Sequence, residues 1–99
     1  MSEEWGIAPP PFKPDEALQK LRRELRDLGL TERDSRFERR GSLVARAAVE
    51  GDALRAARVK RPTRGSPEWI EKVLRSGADL RNFVTDLKTQ LALWSDRDD

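Results

Sequence analysis

The 99-residue chain has no cysteine and no histidine. Without cysteine there is no disulfide, no thiolate nucleophile and no Cys-ligated zinc, and a reducing compartment is permitted. Without histidine, the commonest general base and the commonest metal ligand are both missing, and most hydrolytic mechanisms lose their usual residues. No apolar run approaches the ~18 residues that a membrane span needs. The start, Met1-Ser2-Glu3-Glu4, is acidic where a secretory signal is basic. A phosphate-cradling glycine loop is also lacking, since Arg64-Gly65-Ser66 is too short for one. Acids such as Glu24, Asp27, Glu68 and Glu71 are spaced as solvated surface charges, and no carboxylate pair can be nominated. The expectation is a cytoplasmic protein away from membranes that is not an enzyme and has no catalytic residues, no metal site and no cofactor.

What is present fits one small domain. Chains of this length fall just under the roughly 100 to 200 residues of a typical domain, and a domain this small buries only about 60 to 70% of its unfolded surface. Hydrophobic residues make up 36% and charged residues 38%, a polar balance that still allows folding because the apolar positions are periodic. The net charge of +2 is unevenly spread. Residues 33–64 carry ten basic and four acidic residues, a local excess of +6, while each flank carries five basic and seven acidic residues.

Residues 1–14 hold Trp5, Ile7, the run Pro9-Pro10-Pro11, Phe12 and Pro14. Prolines lack an N–H donor and favour an extended polyproline II segment. Such a segment is either a ligand for an aromatic groove on a partner or a strap pinned to its own domain by Trp5 and Phe12. From residue 15 to 29, Leu18, Leu21, Leu25 and Leu28 stand at helical spacing. Asp15 is placed to cap the start of this helix, and Gly29 to end it in a left-handed conformation.

From Arg36 to Arg61 the period changes to two. Leu43, Ala45, Ala47 and Val49 share one face, and Val44, Arg46, Ala48 and Glu50 the other. This predicts three antiparallel strands, with hairpins at Gly41-Ser42 and Gly51-Asp52. Parity changes between Ala56 and Ala57, which predicts a bulge there. Ser66-Pro67-Glu68 has the form of a helix start, so residues 67–75 are expected to form a short helix, although Ile70, Lys72 and Leu74 also alternate as a strand would. Ser76-Gly77-Ala78-Asp79 has the form of a capping box. Leu80, Phe83, Val84, Leu87, Leu91 and Trp94 then draw one apolar face down a long helix.

The expected fold class is α+β in the order α-β-β-β-(α)-α, a three-stranded antiparallel meander with helices packed on one face. The domain spans residues 15–94, between a proline-containing tail (1–14) and an acidic tail (95–99). The order of helix, three strands and helix resembles the double-stranded-RNA-binding fold over residues 15–94. That family starts its last helix with lysines, where this chain has Gly77, Ala78, Asp79 and Leu80, so the resemblance implies a topology and not a function.

Two sets of residues are candidates for binding. Arg39, Arg40, Arg46, Arg55, Arg58, Lys60, Arg61 and Arg64 form a basic set able to grip phosphates along a nucleic-acid backbone without reading bases. The plainer reading of the same set is a solvated strand surface whose arginine stems cover small residues. Phe37 is the only aromatic in that segment, which counts against single-strand recognition. Trp5, Pro10, Phe12 and Trp94 are candidates for protein contact, tryptophan being a typical interface anchor; Trp69 is more simply a core residue. The expected function is that of a small non-catalytic accessory or protein-interaction module, a monomer or weak dimer. It would engage an unidentified protein partner through an exposed sheet face or its tail. The alternative is nucleic-acid backbone binding through residues 36–64.

Overall fold

Leucine spacing builds the first element. In a computed structural model that describes residues 11–96, helix α1 runs Pro14–Asp27 and buries Ala17, Leu21 and Leu25. Asp15 is not its cap. Lys13 occupies the cap position without a side-chain hydrogen bond, and Pro14 opens the helix, where a missing N–H costs nothing. Asp15 and Glu16 instead complement the positive end of the helix dipole from within the first turn. At the other end Gly29 takes φ +91°. Its N–H donates to the Arg26 carbonyl at 2.9 Å and that of Leu30 to the Leu25 carbonyl at 3.3 Å, a paired closure in which Leu30 and Leu25 are also both buried.

Five antiparallel strands follow in sequence order, not three: β1 Thr31–Arg33, β2 Arg36–Arg39, β3 Ser42–Glu50, β4 Ala53–Val59 and β5 Trp69–Leu74. Helix α2, Gly77–Asp96, ends the described chain. The class is α+β as expected, but the strand count departs from the double-stranded-RNA-binding order. Strand β1 has no apolar residue to reveal it, and its hairpin turns at Asp34 and Ser35, both at positive φ without a glycine. The expected short helix at 67–75 is β5. As a strand it satisfies the free backbone edge of β4 along the register Leu54↔Leu74 to Val59↔Trp69, and that demand outweighs the local helix signals.

The expected bulge in β4 is absent, since its pairing to both neighbours is unbroken. The irregularity lies one strand away. Phe37 pairs with Ala45 but Glu38 with Leu43, so Val44 is an extra residue of β3, and Val44 and Ala45 are both fully buried.

Both helices cover one face of the sheet. Leu21 and Leu25 of α1, with Leu80, Phe83, Leu87 and Leu91 of α2, meet Phe37, Val44, Leu54 and Leu74 in a single core. Each such side chain contributes roughly 1.5–3 kcal/mol of burial. One half of the capping box forms as expected, with the Asp79 N–H donating to Ser76 Oγ at 3.1 Å; the return bond is displaced by one residue, Asp79 Oδ2 accepting from the Arg75 N–H at 2.9 Å. From that start beside β5, α2 crosses the sheet obliquely, meeting Arg58 of β4 through Asp86 and Arg39 of β2 near its carboxyl end. On the far side, Glu32 of β1 accepts ion pairs from Arg22 at 2.8 Å and Arg26 at 3.6 Å, tying α1 to the sheet edge.

Candidate functional site

The eight candidate cations divide into two groups. Arg46, Arg55 and Arg58 are engaged by acids. On the sheet face away from the helices, Arg46 pairs with Glu71 at 2.9 Å, Arg55 pairs with Glu71 at 2.8 Å, and Arg55 also pairs with Glu50. The Arg46 guanidinium lies 4.4 Å from the centre of the Trp69 ring, a cation–π contact. Hydrogen bonds from Arg55, and for Glu71 also from Arg46, hold the Glu50 and Glu71 carboxyls below their ordinary range; the bonds that Arg55 itself makes to Glu50 and Glu71 push its guanidinium further up. Arg58 is on the opposite face, donating to Asp86 and to the Val59 carbonyl.

This arrangement explains why β4 is buried on both faces. Ala57 is flanked by its pairing partners Arg46 and Glu71. The ion pair between those two must pass over the intervening strand, because β3 and β5 stand about 9.5 Å apart, twice the strand spacing. Ala57 is accordingly only 1% exposed. Arginine stems thus cover small residues, and two cations and two carboxylates cancel on this face.

Arg39, Arg40, Lys60, Arg61 and Arg64 converge instead. They line a cleft of about 620 Å³ at one end of the molecule, between the β2–β3 hairpin, the loop after β4 and the last turns of α2. Gln90, Leu93 and Trp94 of α2 form the opposite wall, and among the described residues no carboxylate lines the cleft. Lys60, Arg61 and Arg64 make no ion pair among the described residues. The loop that carries them is held at its base, where the Lys60 N–H donates to the Glu68 carbonyl at 2.8 Å.

Arg39 and Arg40 are held in place differently. The last turn of α2 has no basic residue of its own. Arg39 supplies one from the sheet, donating through Nη1 to the Leu91 carbonyl at 3.2 Å and to Ser95 Oγ at 2.8 Å. Arg40 shares the two-residue hairpin turn with Gly41, at φ +55° and +81°. Gly41 suits that turn, whereas a left-handed conformation costs an ordinary side chain such as Arg40 roughly 1–2 kcal/mol. A guanidinium is therefore carried at the cleft rim at a position that favours glycine or asparagine.

Of the residues expected to contact protein, Trp5 and Pro10 lie outside the described residues. Phe12 is half-buried and packs against the core. Trp69 packs there too, beneath Arg46, and Trp94 is half-buried against the core while lining the cleft. Sequence reasoning missed Ser42, Gln90 and Leu93 as cleft residues. Leu93 carried a signal, being a leucine off the apolar stripe of α2.

Among the described residues no three acidic side chains come together as a metal site, and no helix is long and apolar enough to cross a membrane. No known protein family, characterised protein or solved structure matches the chain.

Proposed function

We propose that the chain is a nucleic-acid-binding module that grips the phosphate backbone in the cationic cleft. One observation carries this reading. Five of the eight candidate cations line a single concavity whose described lining includes no carboxylate, and three of them, Lys60, Arg61 and Arg64, make no ion pair among the described residues. Guanidinium groups bind phosphate oxygens in pairs, and a cluster held by a hairpin, a loop and a helix end follows a backbone without recognising sequence. The open sheet face supports a partner-binding role less well, because Arg46 and Arg55 on it are already paired with Glu50 and Glu71.

Lys60, Arg61 and Arg64 predict the salt dependence. Three phosphate contacts on a single strand give a log–log salt slope near −2, roughly a twentyfold loss of affinity on a fourfold rise in salt. Titration of a fluorescent 12-nucleotide single strand should show that slope. The Arg61→Glu/Arg64→Glu variant should bind about tenfold more weakly or worse, while Arg46→Gln/Arg55→Gln binds as the parent does. Unchanged affinity in the first variant would refute the reading. Equal affinity for polyglutamate would replace it with an acidic protein partner.

A further inference from the structure

The cleft has two unlike walls. Its sheet and loop side is cationic, and its α2 side presents Leu93 and Trp94. Leu93 is 48% exposed, one of the few large apolar side chains left open to solvent. Trp94 is anchored against the core on one side and lines the cleft on the other. An indole already fixed by packing loses little freedom when a ligand lies on it. The central segment alone is short of aromatics, but the oblique path of α2 brings Trp94 to the basic residues from thirty or more positions downstream.

We infer that the cleft's occupant is single-stranded, with a base stacked on Trp94 and its flanking phosphates on Lys60, Arg61 and Arg64. This rests on the backbone-binding reading above. Stacked bases within a duplex offer no free ring face, whereas an unpaired base has one to place on an aromatic side chain. A concavity of about 620 Å³ lies in the size range of sites that enclose small ligands, the scale of a nucleotide or two. An aromatic platform beside a positive track is sequence-tolerant, because every base has a π-face.

The test compares oligothymidylate with an abasic deoxyribose-phosphate oligomer of equal length and with a duplex, using protein whose only tryptophan is Trp94 (Trp5→Phe, Trp69→Phe). The expected result is quenching of Trp94 fluorescence by oligothymidylate and not by the abasic oligomer, with tighter binding of the former by roughly fivefold or more. Trp94→Leu should reduce oligothymidylate affinity to the abasic level without changing abasic binding, and Trp94→Phe should keep most of the preference. The quenching comparison stands even where Trp94→Leu impairs folding. Equal affinity for the two oligomers without quenching, or a preference for duplex, would overturn the stacking inference and leave backbone binding intact. Binding of none of the three would overturn both.

Discussion

Arg58, near the end of β4, donates to the carboxylate of Asp86 on α2, and its side chain is only 13% exposed against 38% for the acid. The pair joins a central strand to the helix that crosses it. Removing the arginine leaves a carboxylate against the sheet without its partner, so Arg58→Ala should destabilise the fold by about 1–3 kcal/mol. Arg58→Met with Asp86→Leu should recover most of that loss. Urea denaturation of the two variants checks both values, and a neutral Arg58→Ala would show the pair to be energetically idle.

Arg39 should act on one end of α2 alone. With no basic residue in the last turn, that helix end depends on the donation to Leu91 and Ser95. Arg39→Ala should cost about 1 kcal/mol and raise amide hydrogen exchange in the last turns of α2, while exchange near Leu80 stays as it was. Uniform protection along the helix would contradict this.

Acid should weaken the open face first. Glu50 and Glu71 are held below the ordinary glutamate value of 4.5 by Arg55, and Glu71 by Arg46 as well. The unfolded chain therefore takes up protons at a higher pH than the folded one. The stability these carboxylates contribute is present at neutral pH and lost as pH falls through the lowered values, below about 4.5. The exposed setting keeps the effect small. In denaturation midpoints measured between pH 7 and 3, Glu71→Gln should show a shallower acid decline than the parent. An identical decline would place the acid sensitivity elsewhere.

The first hairpin has room for improvement. Ser35 takes φ +66° beside Asp34 at +52°, and Asp-Gly is the dipeptide that such a turn prefers. Ser35→Gly should stabilise by about 0.5–1 kcal/mol, a rise in Tm of roughly 3–5 °C for a domain of this size. Calorimetry would detect it, and a fall in Tm would mean that the Ser35 side chain matters to the turn.

Much of the fold was legible from local chemistry. The stripe of Leu18, Leu21, Leu25 and Leu28, the stop at Gly29, the box of Ser76 and Asp79, and the α2 face from Leu80 to Trp94 each depend on residues within a few positions of one another. Sequence periodicity therefore suffices to find them. Strand β1 escaped because Thr31, Glu32 and Arg33 carry no alternation, their anchor being the pairing of Glu32 with Arg22 and Arg26. Strand β5 is obscured because a serine–proline start competes with its alternation. The parity change at Ala56 and Ala57 reads as a bulge because burial on the open face, beneath an ion pair, leaves no mark in the sequence.

The candidate site shows the same division more sharply. The chain's own order of residues determined that the central segment is basic, that two amphipathic helices flank a sheet, and that histidine and cysteine chemistry is excluded. Which arginines are neutralised and which face a cleft was decided only by the tertiary structure. Arg46 meets Glu71 across an intervening strand, Arg58 meets Asp86 on a crossing helix, and Trp94 reaches Arg61 and Arg64 by the oblique path of α2. Charge acts through space over a few ångströms, and neighbours at that range are set by strand register and helix crossing rather than by separation along the chain.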